Sequence, residues 1–312
     1  MTKIIFFGSS DYCLPVLTLL AENFKLASII SKPLPNPVYN FAVKSRTPVF
    51  TPFNVAQLAA LKHKLASLKP DLAVVADYGL IIPEEIFTLP EHKTLNIHFS
   101  RLPQFRGPSP VQYSILFGME TSWVSIILMS QKVDNGPIIK QLKYNVPPAS
   151  ETAQSLYSKL FQSVSAELPE IILNYINKKI APVVQNEKMA SYTRKLNRND
   201  GFLPFEVFKK ALLGSSINSF PENTLLNRAL QKSDNLARTI DNAVRAFDPW
   251  PGVWTILPNV KRLKILKSHL HSVLIPDLVQ LEGKKPVEWK QLKEGYPDIL
   301  APTSSITANN SL

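Results

Sequence analysis

The sequence predicts an α/β fold in which a doubly wound, mostly parallel sheet is followed by a small β domain. Three observations lead to this prediction. Up to Val184, short apolar runs alternate with amphipathic segments of helical period, which is the pattern of strand–helix–strand units. Residues 71–79 are apolar at most consecutive positions, as in a strand covered on both faces. Beyond Val184 the chain becomes polar and rich in loops, which marks a second region.

The elements of the first region follow from these patterns in order. Residues 2–8 form an apolar run that ends at Gly8, and Ser9 to Asp11 are residue types that cap the start of a helix. Further strands are predicted over residues 26–31, 48–50, 71–79, 94–99, 122–129 and 137–146. Helices are predicted over residues 54–69, from near Pro110, and over residues 152–178 with a bend at Pro169.

Changes in composition divide the chain into four parts. Residues 1–184 form the α/β domain, and residues 185–252 form a linker with one helix over 234–246. Residues 253–301 contain short strand-like runs and are predicted to form the small β domain. Residues 302–312 are rich in Ser, Thr and Asn and are predicted to be disordered.

The composition limits the classes of function. The 312 residues carry a net charge of +11, which favours an anionic partner such as nucleic acid, although an evenly solvated basic surface would show the same charge. Cys13 is the only cysteine, which excludes an internal disulfide and a thiolate metal site within this chain. No apolar run approaches the roughly 20 residues that span a bilayer. We therefore expect a cytoplasmic, monomeric protein without a membrane segment.

Motifs for nucleotide cofactors and metals are missing. Gly8 stands alone after the first predicted strand, without the further glycines of a dinucleotide-binding loop or the Gly-Lys-Ser/Thr of a phosphate loop. The five histidines do not show the spacing of a zinc-binding helix. The sequence therefore argues against a nucleotide cofactor, ATP or a metal.

Two polar residues at the end of one predicted strand are candidates for catalysis. Asn96 and His98 are two positions apart, so their side chains share a face of the strand. At the carboxyl end of a strand that face meets the ligand crevice, where an amide can donate to a developing oxyanion and an imidazole can hold or move a proton. The alternative is structural, because both side chains could simply satisfy loop backbone groups.

Asp134 and Arg106 are less specific candidates. Asp134 lies in QKVDNGP between two predicted strands, and Asp-Asn-Gly is common in tight turns. Its carboxylate could instead orient the imidazole, or position a water that takes a proton from an attacking amine. Arg106 follows a Leu-Pro pair and could bind a carboxylate or phosphate, or pair with a surface acid.

These residues also form a longer pattern that resembles a known family. Residues 96–107 read N-x-H-x-S-x-L-P-x-x-R-G and are followed by D-x-G at Asp134, while VVADYGLIIP stands upstream at residues 74–83. The combination resembles the folate-dependent formyltransferases. The start IIFFGSSDYCLPVL and the distal AFDPWPGVW resemble the branch that formylates methionyl-tRNA for translation initiation. The resemblance implies a Rossmann-like formyltransferase domain and a small carboxy-terminal β-barrel of OB-like type, reduced here.

The resemblance also implies ligands and roles. The donor would be 10-formyltetrahydrofolate, with no metal, and the acceptor initiator methionyl-tRNA. Asn96 and His98 would stabilise the tetrahedral oxyanion, while Asp134 would keep His98 charged and help to remove the amine proton through water. The residues implied for folate binding are Ala76, Tyr78, Gly79, Leu80, Ile81, Ser100, Arg101, Leu102 and Pro103. Those implied for binding the tRNA or its methionyl group are Gly8, Ser9, Ser10, Arg106, Lys44 and Arg46.

Departures from the family pattern leave alternatives open. The loop after the second strand lacks glycine, and between Lys32 and Lys44 it carries no charge, so the family's long basic loop is missing. Residues 201–233 are extra sequence without a predicted role. The alternatives are a formyltransferase that acts on a nucleotide-linked amino sugar, a formyltetrahydrofolate hydrolase, and a tRNA-binding protein with a degenerate site.

Overall fold

The protein is described from a computed structural model. It describes residues 1–33, 36–145, 150–220, 223–258, 260–297 and 299–300, so the predicted disorder of the tail lies outside the described residues. The chain divides into two compact units. The first comprises residues 1–110, 121–146 and 155–194, and the second comprises residues 111–120, 147–154 and 195–312. The four-part division by composition stays a prediction, because the units follow contacts rather than chain order.

A seven-stranded sheet forms the centre of the first unit, as the sequence predicts. Its strands are β1 (Lys3–Gly8), β2 (Lys25–Ile30), β3 (Val49–Phe50), β4 (Leu72–Ala76), β5 (Thr94–His98), β6 (Ser122–Leu128) and β7 (Ile138–Tyr144), in the order β3-β2-β1-β4-β5-β6-β7. The pairs from β3 to β5 are parallel, whereas β6 and β7 run antiparallel to their neighbours. β4 is buried at all of its positions, which confirms a strand covered on both faces.

The helices in the first two thirds of the chain differ from the prediction in three places. They are α1 (Leu14–Asn23), α2 (Pro37–Lys44), α3 (Val55–Ala60), α4 (Lys62–Ser67), α5 (Glu84–Phe87), α6 (Pro110–Leu116) and α7 (Ala153–Ile176). The helix predicted over 54–69 is divided at Leu61, whose ψ of −6° interrupts the helical path. α2 was not predicted, although the Asn36 side chain caps it by accepting from the Tyr39 amide. α5 was not predicted either.

The start of α1 also differs from the prediction. Asp11–Cys13 form a 3-10 turn, and Ser10 precedes that turn without a side-chain capping hydrogen bond. The α-helix begins only at Leu14, with Pro15 in its first turn, where the missing proline amide costs no hydrogen bond. Burial raises the pKa of the Cys13 thiol to about 12, which agrees with a structural role for this residue.

The second unit contains the predicted small β domain as a four-stranded antiparallel sheet. Its strands are β8 (Val253–Ile256), β9 (Arg262–Leu270), β10 (Leu274–Leu281) and β11 (Val287–Glu288), in the order β11-β10-β9-β8. The order is open, so the structure shows a small antiparallel sheet, and its closure into a barrel stays a prediction. The helices are α8 (Phe205–Leu212), α9 (Thr224–Ser233), α10 (Leu236–Ala246) and α11 (Trp289–Gly295). α10 is the helix that the sequence predicts, and α8 and α9, within the extra residues 201–233, both pack against it.

Within the described ranges, no helix has the length and apolar character required to cross a membrane. Among the same residues, no cluster of three or more His, Cys, Asp or Glu side chains could hold a metal ion.

Candidate active site

Asn96 and His98 lie at the carboxyl end of β5, between β4 and β6. They share one face of the strand, as their spacing predicts. His98 is only 5% exposed, and Asn96 is half-buried. The sheet therefore holds both side chains at the edge where the parallel strands end.

Asp134 comes from the loop between β6 and β7 and completes the cluster. Its Oδ1 accepts a hydrogen bond from Asn96 Nδ2 at 3.2 Å, and its Oδ2 accepts one from the Gly107 backbone amide at 2.8 Å. The same Oδ2 is 3.4 Å from His98 Nδ1. Asp134 has a φ of +51°, which is uncommon outside glycine but tolerated by Asp. The tight turn and the polar cluster are therefore both present.

The imidazole of His98 is held at both nitrogens. Nε2 is 2.9 Å from the carbonyl oxygen of Phe105, and a carbonyl can only accept, so Nε2 carries a hydrogen. Nδ1 faces the Asp134 carboxylate, which is also an acceptor. Both ring nitrogens therefore face acceptor atoms, and these two contacts fix the orientation of the ring.

Two glycines allow the loops around the cluster to approach each other. Gly107 has a φ of +109°, and a Cβ there would lie 2.6 Å from the Thr193 carbonyl oxygen. A Cβ at Gly136 would lie 1.7 Å from the Leu128 carbonyl oxygen. Glycine is therefore required at both positions, one in the L-P-x-x-R-G pattern and the other in D-x-G.

Arg106 pairs with an acid of its own chain. Its side chain is 1% exposed, and its Nη1 and Nη2 donate to the two carboxylate oxygens of Glu187 at 3.0 and 2.8 Å. Nε and Nη2 both donate to Gln185 Oε1. The hydrogen bond from Arg106 lowers the pKa of Glu187. Of the two alternatives for Arg106, the structure thus shows the ion pair, and the guanidinium has no free edge for a substrate anion.

A cavity of about 650 Å³ opens beside the cluster. Four residues implied for folate binding line it together with the three polar residues: Tyr78, Gly79, Leu80, Ile81, Asn96, His98 and Asp134. Apolar side chains of several strands and loops also line it: Val75, Ile82, Phe87, Ile97, Phe99, Ile127, Met129 and Val133. The cavity surface is thus mostly apolar, with the Asn96, His98 and Asp134 cluster and further polar residues, Asp77, Glu84, Ser130, Gln131 and Lys132, among its lining.

Five residues implied for folate binding do not line this cavity: Ala76, Ser100, Arg101, Leu102 and Pro103. The loop after β5 turns toward β6, because the Ser125 hydroxyl donates to the Ser100 carbonyl and accepts from the Leu102 amide. The Ser100 hydroxyl donates to the Gln104 carbonyl. Arg101 stacks over the Trp123 ring at 4.7 Å. These positions lie outside the cavity lining, and their part in folate binding stays a prediction.

The residues implied for the acceptor are also outside the cavity lining: Gly8, Ser9, Ser10, Lys44 and Arg46. Ser9 joins strand ends, since its hydroxyl donates to the Tyr78 carbonyl at 3.3 Å and accepts from the Lys32 amide at 3.1 Å. Lys44 ends α2, and Arg46 follows it with a φ of +56°. Both cations are exposed.

Several cavity residues were missed from the sequence, among them Asp77, Phe87, Met129, Lys132 and Tyr157. Met129 to Lys132 precede Asp134 in the same loop, so that closeness in sequence could have indicated them. Tyr157 lies on the buried side of α7, where its ring packs edge-on against Phe99 at 5.5 Å. No local pattern distinguishes Tyr157 from an ordinary core residue.

Comparisons with known proteins show the family of this chain. The family model "Formyl transferase" matches residues 23–172, and "Formyl transferase, C-terminal domain" matches residues 234–274. The methionyl-tRNA formyltransferase of Wolbachia pipientis subsp. Culex pipiens is 30% identical over 315 residues, which cover 96% of this chain and 98% of the relative. That of Bacillus subtilis is 29% identical over 279 residues, with coverages of 86% and 78%.

A solved structure shows the same fold. The methionyl-tRNA formyltransferase from Clostridium thermocellum superposes with a TM-score of 0.57 and 16% identity, covering 92% of this chain and 100% of that one. At this level of identity the likeness concerns the fold alone.

Proposed function

Because the chain belongs to the formyl transferase family, we propose that it transfers the formyl group of 10-formyltetrahydrofolate to the amino group of initiator methionyl-tRNA. One observation carries the proposal. Asn96, His98 and Asp134 are joined by short contacts at one side of an apolar cavity. An amide donor, an imidazole and a carboxylate are groups that can stabilise an oxyanion and move a proton in acyl transfer to an amine.

The cavity fits the class of donor. Its volume of about 650 Å³ lies within the range of sites for small organic ligands, and such sites are mostly apolar with a few polar groups. The loop Tyr78–Pro83 would contact the flat pterin ring. The formyl group would then reach the polar side of the cavity, next to Asn96.

The proposed reaction balances atoms and charge. The nitrogen of the methionyl amine bonds to the formyl carbon, whose bond to N10 of the folate then breaks. The proton that the amine loses replaces the formyl group on N10. Between these steps the formyl oxygen carries negative charge, and this oxyanion is what the site must stabilise.

Each polar residue has a distinct proposed part. One hydrogen of the Asn96 amide is used by Asp134, and the second is free to donate to the oxyanion. Both nitrogens of His98 have acceptors, so the ring is held in a fixed orientation beside Asn96. Asp134 holds the ring in place and accepts the amine proton through a water.

Initiator methionyl-tRNA is the acceptor best supported. Relatives named methionyl-tRNA formyltransferase match 86% and 96% of the chain, beyond the catalytic unit. The net charge is +11, and β9 carries Arg262, Lys264 and Lys267. Contacts with phosphates would make tRNA binding salt-sensitive. This reaction would take place in the cytoplasm, and a monomer is sufficient for it.

A formylation assay tests the proposal directly. Charged initiator tRNA, charged elongator methionine tRNA and a nucleotide-linked amino sugar would each be offered with 10-formyltetrahydrofolate. We expect transfer to initiator methionyl-tRNA and little to the other acceptors. Release of formate without an acceptor would indicate a hydrolase. Binding of tRNA without any transfer would indicate a degenerate site and refute the enzyme.

A further inference from the structure

Gln185 is a buried amide that connects Arg106 with the loop of Asp134. The residue is 5% exposed. Its Oε1 accepts from Nε and Nη2 of Arg106 at 3.0 and 2.8 Å. Its Nε2 donates to the carbonyl oxygens of Asp134 and Gly136 at 2.9 and 2.8 Å. The amide oxygen thus accepts two hydrogen bonds and the amide nitrogen donates two, so the hydrogen-bonding capacity of the side chain is fully used.

Arg106 fixes which way this amide points. A guanidinium only donates, and a backbone carbonyl only accepts. Exchanging oxygen and nitrogen in the Gln185 side chain would set two donors against each other and an acceptor against two carbonyls. The orientation is therefore determined by the partners, and the amide hydrogens must point at Asp134 and Gly136.

The carbonyls that Gln185 holds belong to the turn that carries the candidate catalytic carboxylate. Asp134 has a φ of +51°, a conformation that costs free energy outside glycine and persists when its surroundings impose it. The chain segment that follows Gln185 also holds the loop of Phe105 and Arg106. The Ser191 hydroxyl accepts from the Phe105 amide, and the Ser191 carbonyl accepts from the Arg106 amide. Phe105 in turn accepts from His98.

We propose that Gln185, oriented by Arg106, is a positioning residue that holds the Asp134 turn where its carboxylate meets His98 and Asn96. This proposal rests on the proposed function, since it assigns a purpose to the geometry of that site. Gln185 does not line the cavity. Its substitution should therefore change turnover rather than the binding of the folate donor.

Gln185→Glu is the sharpest test. A glutamate has almost the same shape and keeps the oxygen that accepts from Nε and Nη2 of Arg106, so that buried contact is retained. Its second oxygen, however, faces the carbonyls of Asp134 and Gly136 at hydrogen-bonding distance and repels them. We expect kcat to fall about 100-fold, as for displacement of a reacting group by about 1 Å, with the KM for the folate donor within threefold.

Gln162→Glu is the matched control, because the same change is made on an exposed position of α7 in the same unit. It should leave kcat and KM unchanged. Gln185→Met is the second variant, since it removes the donor without adding a charge, and it should also lower kcat. Turnover is calculated per folded molecule, with the folded fraction from circular dichroism.

A spectroscopic measurement separates this proposal from the proposed function. The ring-nitrogen NMR signals of His98, assigned with His98→Gln, should shift in Gln185→Glu and stay in place in Gln162→Glu. If the wild type does not formylate tRNA, the proposed function fails, while the shift still reports on positioning. Unchanged His98 signals together with kcat within twofold of wild type would overturn the positioning role.

Discussion

The two sides of the cavity are built by different means. On the polar side, the Asp134 carboxylate, the Asn96 amide and the His98 ring are each fixed by directional contacts between 2.8 and 3.4 Å. On the apolar side, the loop from Tyr78 to Ile82 is held mainly by burial of Tyr78 and Ile82 in a core cluster, while Ile81 is 76% exposed.

The difference separates chemistry from binding. Stabilising an oxyanion depends on donor positions within a few tenths of an ångström, which only fixed hydrogen bonds provide. Holding a ring system depends on apolar area and shape, at roughly 25 cal/mol per Å² removed from water. Changes on the polar side should therefore lower kcat, and changes on the apolar side should raise the KM for the folate donor.

The largest expected effect is that of Asp134→Asn. The amide has no charge to pair with His98 and cannot take the amine proton, so we expect kcat to fall about 1000-fold, within the usual range for loss of general acid–base catalysis. The tRNA affinity should change little. The control is Asp234→Asn, because this exposed Asp also has positive φ, +48°. Near-normal turnover of Asp134→Asn would refute its catalytic role.

Asn96→Ala should have the next largest effect. It removes the amide donor proposed for the oxyanion, and loss of one such donor costs about 100-fold in kcat. The KM for the folate donor should stay within threefold, because the apolar wall is unchanged. Asn40→Ala, an exposed Asn on α2, serves as the control. A rise in KM with unchanged kcat would place Asn96 among the binding residues instead.

Gly79→Ala tests the apolar side. Gly79 has a φ of +82°, where alanine costs about 1–2 kcal/mol, so the loop should shift to relieve the strain. We expect the KM for the folate donor to rise about fivefold, with kcat within twofold. Gly283→Ala is the control, since Gly283 has a φ of +74° with nothing near its Cβ position. It should lower the unfolding temperature without changing KM. A loss of kcat in Gly79→Ala would contradict the separation of the two sides.

The smallest expected effect is on how the free energy of unfolding depends on pH. Hydrogen bonding to Arg106 lowers the pKa of Glu187 below its ordinary 4.5. A carboxyl whose pKa is lower in the folded state stabilises the fold above its unfolded pKa, and that contribution is lost as the pH falls. The denaturant midpoint of wild type should therefore decrease more steeply from pH 6 to pH 3 than that of Glu187→Gln. Glu91→Gln, at an exposed position, should follow the wild type; parallel curves for all three proteins would contradict the role of the pair.

Local patterns predicted most strands and fewer of the helices. The strands were predicted because short runs of apolar and β-branched residues favour a buried strand by their composition alone, as in the fully buried β4. The helix over 54–69 was predicted as one element because its apolar period continues across Leu61, yet the backbone turns there. The helices within residues 201–233 are amphipathic and pack against α10, so their apolar periodicity was a local signal that could have predicted them.

The candidate site shows the same limit. Ser100 to Pro103 were assigned to folate binding by the resemblance to the formyltransferases, and Ser125 of the adjacent strand holds that loop toward β6, outside the cavity lining. For Arg106 the sequence left two alternatives open for its partner, a substrate anion or an acidic side chain of the protein. Its partners lie 79 and 81 residues further along the chain, beyond the reach of any local pattern.

The sequence by itself determined the α/β order, the shared face of Asn96 and His98, and a motif that resembles the formyltransferases. These features depend on spacing within one element, and spacing fixes the face to which a side chain points. The tertiary structure alone decided that Asp134 meets both residues, and that Arg106 and Gln185 hold its turn. Those contacts join loops distant in sequence, and the paths of loops depend on packing and hydrogen bonds that form only when the chain has folded.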